Sequence, residues 1–125
     1  ACIMRSRAES YPEYHTSLDD LSLITSSGLE GGFEVLRLCL MVLENNNYYR
    51  VPFPCEPQMG KRNLKPPISS KTTKHPQHTM MRLLNYLDGE HDLLMVCDRI
   101  GVSIIDCIPI IKKLLDEKLL VKEDK

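Results

Sequence analysis

The segment from about residue 33 to residue 43 places the strongest constraint on the fold, because it is apolar on nearly every side of a helix. Four of its apolar residues fall at helical spacing: Phe33, Leu36, Leu40 and Leu43. Five more leave little polar face: Val35, Leu38, Cys39, Met41 and Val42. A helix of this kind is stable only when it is buried on several sides. The asparagines at 45–47 are expected to end it. This part of the chain must therefore pack against something larger.

The residues before this helix predict further elements that need a partner. A short apolar run at residues 1–4 suggests a strand of a parallel sheet, and a helix is predicted from Ser17 to about Thr25, with Gly28, Gly31 and Gly32 breaking the pattern. At about 25 cal/mol per Å² of apolar surface, the missing contacts would be worth many kcal/mol. The expected partner is the rest of a larger domain or a self-associated copy of the chain.

The middle of the chain differs in composition from both ends. Residues 61–78 carry five Lys or Arg and no acidic residue, and they include Pro66, Pro67 and Pro76. Such a segment buries little apolar area and predicts an extended linker at 65–78. A nucleic-acid tether is the alternative, but no aromatic residues are interleaved with the charges. The predicted division is thus 1–64, a basic linker at 65–78, and a second domain at 79–125.

The second domain shows the order of a winged helix-turn-helix. Helices are predicted at 79–87, at 92–100 and from Ser103 to about Glu117, with a Gly101 turn before the third helix and a short strand at 119–121. Residues 48–51 could add a brief edge strand. Pro109 should either kink the third helix or mark its first position. We expect residues 79–125 to fold alone.

DNA binding is not the favoured function of this domain. Its candidate recognition face offers Ser103, Asp106, Lys112 and Lys113, and no Arg or Asn lies near the helix start to reach base edges. Residues 79–125 carry nine acidic and seven basic residues, whereas phosphate contacts need several unopposed cations. A protein partner is therefore expected for the winged helix. A non-catalytic module that binds protein or DNA remains the alternative function for the chain.

Composition narrows the class of protein. The formal net charge of −1 argues against a dedicated nucleic-acid or membrane protein, and no apolar run reaches the roughly 20 residues that span a bilayer. Five cysteines show no metal-binding or redox spacing, and three of them lie in apolar surroundings that predict buried thiols: Cys39, Cys97 and Cys107. An odd number without a disulfide framework is typical of the reducing cytoplasm, where we expect the protein to reside.

His15 is the one candidate metal ligand. It lies just before Ser17 and Asp20, a pair that resembles a capping box and would hold the imidazole outside the first turn of a helix. A loop histidine with no ligand role is the alternative, because the chain has no His-Glu-x-x-His and no Cys-x-x-Cys. Of the other histidines, His75 and His78 are expected to be solvated, and His91 to lie in a turn.

Two blocks of sequence resemble a known family. The run Pro12-Glu13-Tyr14-His15-Thr16-Ser17-Leu18-Asp19-Asp20-Leu21 resembles the last metal-ligand motif of co-catalytic zinc aminopeptidases. Within that family it is most similar to bacterial aminopeptidase-like proteins associated with polysaccharide biosynthesis. The run Cys55-Glu56-Pro57-Gln58-Met59-Gly60-Lys61-Arg62-Asn63-Leu64 resembles the segment that closes the peptidase-like domain, and residues 79–125 resemble the C-terminal winged helix of the same subgroup.

The resemblance implies a fold and a role for His15. It implies the end of an aminopeptidase-like α/β/α domain, an α/β remnant, followed by a mostly α winged helix-turn-helix domain. His15 would be the last zinc ligand, and the remaining ligands and the general base would lie upstream. Because only fourteen residues precede His15, this chain is expected to be the C-terminal part of a zinc-dependent hydrolase. It would hold no catalytic residue and would not be catalytic alone.

Overall fold

The chain forms two compact units, Ala1–Met41 (unit 1) and Val42–Lys125 (unit 2). The computed structural model describes residues 2–62, 64 and 76–124. Its helices are α1 (Ser26–Asn45), α2 (Pro76–Tyr86), α3 (Leu93–Ile100) and α4 (Ile104–Asp116), with short 3-10 turns at Leu21–Leu23 and Met59–Arg62. Its strands are β1 (Tyr48–Arg50), β2 (Asp88–Asp92) and β3 (Val121–Glu123). No helix in this part of the chain is long and apolar enough to cross a membrane.

Unit 1 begins with a series of turns rather than the predicted strand and helix. Residues 2–4 are not in a strand, and the only helical turn between Ser17 and Thr25 is the 3-10 turn Leu21–Leu23. Asp20 begins that turn by accepting the backbone N–H of Ser22 at 2.7 Å. The predictions of a strand at 1–4 and of a helix at 17–25 are therefore wrong, and Asp20 caps the 3-10 turn itself rather than forming a capping box with Ser17.

The glycines expected to separate two helices lie inside one. Thr25 Oγ1 accepts the Gly28 N–H at 3.0 Å, which satisfies a free donor of the first turn of α1. The Arg5 guanidinium lies along the same turn and donates to the Gly28 carbonyl at 2.8 Å. A Cβ at Gly31 would stand 2.9 Å from Arg5 Nη1. These glycines thus make room for Arg5 instead of ending the helix.

The apolar face of α1 is exposed. Within the described residues, unit 1 contains no buried side chain. We define the α1 stripe as four residues at 4-3-4 spacing whose exposed fractions are 65%, 67%, 49% and 61%: Leu29, Phe33, Leu36 and Leu40. The predicted burial requirement of this helix is therefore not met inside unit 1.

Unit 2 is built on a three-stranded antiparallel sheet in the order β2-β1-β3. Tyr48 pairs with Glu123 on one side and with Asp92 on the other. The prediction of an edge strand here is wrong, because β1 is the central strand. Its residue Tyr49 is 5% exposed and joins the core.

The helices of unit 2 close over this sheet. Asp92 caps α3 by accepting the Met95 N–H at 2.8 Å, and Ser103 caps α4 by accepting the Ile105 N–H at 3.3 Å. Gly101 lies between them with φ +66°, a left-handed conformation that glycine adopts without strain. The predicted boundaries of both helices are confirmed. Pro109 lies inside α4, not at its first position.

A single apolar core fills unit 2. Its buried members come from α2, α3, α4 and β1, from the 3-10 turn Met59–Arg62 and from connecting segments: Tyr49, Met59, Leu64, Met80, Leu83, Leu87, Leu93, Val96, Cys97, Ile100, Ile104, Cys107, Ile111, Leu114, Leu119 and Leu120. The core thus includes Tyr49, Met59 and Leu64, which the sequence predicts in the first domain. The compact units divide between Met41 and Val42, whereas most of the predicted linker, residues 65–75, lies outside the described residues.

Candidate functional site

His15 lies in a tight turn near the start of unit 1. The Thr16 N–H donates to the Glu13 carbonyl at 3.0 Å, and Thr16 Oγ1 donates to the same oxygen at 2.8 Å. His15 has φ +58°, a conformation that is uncommon outside glycine and typical of the third position in some turns. Two hydrogen bonds thus hold a locally unfavourable backbone in place. Such conformations are concentrated at functional sites.

The imidazole of His15 is supported on one face and free at its edge. The ring stacks on Tyr14 at 4.1 Å between centroids and 13° between planes. Tyr11 meets Tyr14 edge-on at 5.6 Å, which steadies that stack. His15 is exposed, and neither of its ring nitrogens bonds to a described residue. The ring is therefore oriented while its nitrogens remain accessible.

The described residues do not assemble a metal centre around His15. No group of three or more His, Cys, Asp or Glu side chains among them is placed to hold an ion. A catalytic zinc takes about three protein ligands, so His15 alone does not fit one. The nearby Asp20 is engaged as a cap, and its hydrogen bond from Ser22 lowers the pKa of its carboxyl.

A second candidate site is a cleft in unit 2 between α2, the Gly101 turn and α4. Its volume is about 780 Å³. The apolar lining comprises Met80, Val102, Pro109 and Ile110, and the polar lining comprises His78, Thr79, Arg82, Ser103, Asp106 and Lys113. We call it the α2–α4 cleft.

Charge in the α2–α4 cleft is predominantly positive. Arg82 and Lys113 are exposed, and neither forms an ion pair with a described residue. Asp106 is the one carboxylate of the lining. Of the predicted recognition face, Ser103, Asp106 and Lys113 line the cleft and Lys112 does not. Sequence reasoning missed His78 and Arg82, because only packing brings α2 beside α4.

Another polar group in unit 2 is structural. Asp88 accepts the N–H groups of Glu90 at 2.8 Å and His91 at 3.0 Å, and it also bonds the His91 ring at 2.8 Å. The bond from the His91 N–H is the largest cause that lowers the pKa of Asp88 to about 2. These residues lie in β2, where Asp88 pairs with Arg50 of β1, and none of them lines the α2–α4 cleft.

The cysteines offer no metal set. All five are free thiols; Cys97 and Cys107 are buried, as predicted, and Cys39 is only partly buried. Cys97 and Cys107 share a hydrogen bond in the core, which together with burial raises the pKa of Cys97. These two thiols are packing residues of the α3–α4 contact.

Two family models match the chain, and they divide it close to the boundary between the units. A winged helix-turn-helix model matches residues 47–122. A domain of unknown function matches residues 1–46.

Two relatives share both parts. A curated Clostridium acetobutylicum protein, described as a candidate polysaccharide biosynthesis protein with an aminopeptidase-like domain, is 31% identical over 103 residues, covering 81% of this chain and 24% of that protein. A crystal structure of a candidate peptidase from Clostridium acetobutylicum superimposes with a TM-score of 0.77 at 27% identity, covering 92% of this chain and 25% of the other. The chain thus spans about a quarter of the relatives it matches. The predicted resemblance and fold class, an aminopeptidase-like remnant followed by a winged helix, are confirmed.

Proposed function

The chain belongs to the winged helix-turn-helix family over residues 47–122, and from that premise we propose that it is the C-terminal part of a zinc-dependent aminopeptidase-like hydrolase. In this proposal unit 1 contributes His15 to a metal site, and unit 2 is a protein-interaction module. The observation that carries it is the match, over 81% of the chain, to a protein described as having an aminopeptidase-like domain.

The His15 turn supports a ligand role. Its ring is oriented by stacking on Tyr14, and its positive φ is held by two hydrogen bonds to the Glu13 carbonyl. An oriented imidazole with accessible nitrogens loses little freedom when it binds a metal. The other ligands would come from sequence outside this chain. Zinc in the complete site would activate a water and polarise a peptide carbonyl.

The exposure of the α1 stripe supports the proposal that another part of a larger domain covers this helix. Four large apolar side chains lie between 49% and 67% exposed on one helix face. A monomeric domain rarely leaves so continuous an apolar surface in water. We assign this face to the rest of the peptidase-like domain, with a self-associated copy of the chain as the alternative partner.

The metal role is tested in the complete protein that contains this sequence. His15→Ala should lower its zinc content per protein and reduce hydrolysis of leucine anilides by at least roughly tenfold, as loss of a metal-site residue does. His91→Ala is the matched control, because His91 is exposed in part and bonds only Asp88 within the described residues. Unchanged zinc content and activity in His15→Ala would refute the ligand assignment.

The isolated chain gives a second test. With one candidate ligand among its described residues, it should not hydrolyse leucine anilides when zinc is added. Robust hydrolysis that His15→Ala abolishes would contradict the proposal that the chain is inactive alone.

A non-catalytic winged-helix module is the second candidate function. It is favoured by the concentration of all buried described residues in unit 2, which gives that unit an apolar core of its own. This function would be favoured if the gene encoded no further zinc ligands upstream of residue 1. The five free thiols support a reducing, cytoplasmic location in either case.

A further inference from the structure

The α2–α4 cleft has the chemistry of a peptide site rather than of a DNA face. Its floor is apolar, formed by buried Met80 with the partly buried Val102 and Ile110. The polar base edges and phosphates of DNA would not bury this apolar surface. An apolar side chain of a peptide would remove it from water. Pro109 adds a further apolar contact at the cleft, on the helix that reads DNA in many winged helices.

The rim of the cleft sets the charge of its occupant. Arg82 from α2 and Lys113 from α4 lack ion-pair partners among the described residues, and His78 adds a further polar group to the lining. Only Asp106 opposes them. Two unpaired cations are fewer than a DNA-binding face needs, but they match the two or three carboxylates of a short acidic segment.

From this complementarity we propose that the α2–α4 cleft binds an acidic protein segment that carries at least one large apolar side chain. The apolar side chain enters between Met80 and Ile110, and carboxylates on either side pair with Arg82 and Lys113. This inference rests on the proposed role of the winged helix as a protein-interaction module and gives that partner a chemistry.

Two other occupants fit less well. The neighbouring residues 65–75 carry Lys65, Lys71 and Lys74 and no acid, so their charge does not complement the rim. Duplex DNA needs several unopposed cations along its phosphate backbone, more than Arg82 and Lys113 supply. The following experiment separates duplex DNA from the acidic segment.

The test uses the whole chain and a fluorescein-labelled nine-residue peptide of six Glu and three Leu, followed by fluorescence anisotropy. The acidic peptide should bind, and the same peptide with Lys in place of Glu should not. Arg82→Ala combined with Lys113→Ala should weaken binding roughly tenfold or more, since two charge-assisted contacts are lost. Lys112→Ala is the matched control, because Lys112 is an exposed cation of α4 outside the cleft.

A third variant tests the floor. Ile110→Ala should weaken binding of the acidic peptide several-fold. The salt dependence of binding should change little, because the substitution removes apolar contact rather than charge. Far-UV circular dichroism should show that the charge variants keep the wild-type melting temperature to within a few degrees, because Arg82, Lys112 and Lys113 are exposed. Ile110 also packs against the core of unit 2, so its variant is measured at a temperature where circular dichroism shows it folded.

Each remaining outcome has a separate meaning. If the acidic peptide does not bind, or if the double variant and Lys112→Ala behave alike, the peptide-site inference is overturned while the interaction role of unit 2 stands. If a duplex DNA binds with a strong salt dependence that the double variant abolishes, both the inference and the protein-interaction role fail. The zinc measurement on His15→Ala is independent of either result.

Discussion

Leucines occupy one face of a long helix in each unit, yet Leu40 of α1 is 61% exposed and Leu114 of α4 is 0% exposed. The two helices differ in what surrounds them. α4 presents its apolar face to α2 and α3 and its polar residues to water. α1 has little polar face and no buried residue. The comparison teaches that unit 2 has an apolar core of its own, whereas no described residue of unit 1 is buried.

The largest expected effect concerns which fragment folds. A fragment of residues 42–125 keeps the central strand and the core residues Tyr49, Met59 and Leu64, so its amide NMR spectrum should be well dispersed. The fragment 79–125, which the sequence analysis expected to fold alone, lacks all of these and should give a poorly dispersed spectrum. Equal dispersion of the two spectra would show that β1 is dispensable and would weaken the contrast between the units.

Matched leucine substitutions sharpen the contrast. Leu114→Ala should lower the free energy of unfolding by about 2–5 kcal/mol, because it opens a cavity in a sealed core. Leu40→Ala should change it by less than about 0.5 kcal/mol, because that side chain is already in water. Urea denaturation followed by far-UV circular dichroism measures both. Comparable losses would mean that Leu40 is covered in solution, and a dependence on protein concentration would point to a second copy.

Replacing a glycine with alanine should lower stability in unit 2 and raise it in unit 1. Gly101→Ala places a Cβ on a left-handed backbone and should destabilise unit 2 by about 1–2 kcal/mol. Gly32→Ala lies within α1, where, apart from the adjoining helix itself, no described residue comes within 4 Å of the new Cβ. It should stabilise that helix by about 0.5–1 kcal/mol. Thermal melts report the first change, and amide hydrogen exchange in α1 reports the second. If Gly32→Ala instead lowered the stability of α1, another part of the protein or a second copy would have to contact the helix at Gly32.

Acid should produce the smallest effect. The pKa of Asp88 lies near 2 in the folded chain, below its ordinary value of 3.8, so its bonds stabilise unit 2 above about pH 4 and are lost as the pH falls towards 2. Because its side chain is 46% exposed, solvent screening keeps the contribution under about 1 kcal/mol. The melting temperature should therefore fall over this range less steeply in Asp88→Asn than in wild type. Parallel pH profiles would assign the acid sensitivity to other carboxylates.

Local signals decided which elements were predicted correctly. Helices α3 and α4 each carry a capping side chain, Asp92 or Ser103, and the turn between them needs the left-handed backbone that Gly101 supplies. Strand β2 was missed because Asp88–Asp92 is polar and has no strand pattern. It becomes a strand by pairing with β1, and that long-range pairing cannot be read from the local sequence pattern.

The site residues were likewise predictable only where the signal lies in the local sequence. The ligand role of His15 was predicted from the motif around it, and it stays a prediction because its partner ligands would lie outside the chain. The α2–α4 cleft was half predicted: Asp106 and Lys113 share a face of one helix, whereas Arg82 joins them only through the packing of α2. The start of α1 was misread because Arg5, distant in sequence, fills the space above Gly31.

The position of β1 at the middle of its sheet also governs when unit 2 can be completed during synthesis. Tyr48 must wait for Glu123, some 75 residues later, before its second neighbour exists. Closing so long a loop is slow compared with forming the local helices. On the ribosome, α2, α3 and α4 therefore emerge ahead of their finished sheet, and the nascent unit carries an unpaired strand edge until its last strand is translated.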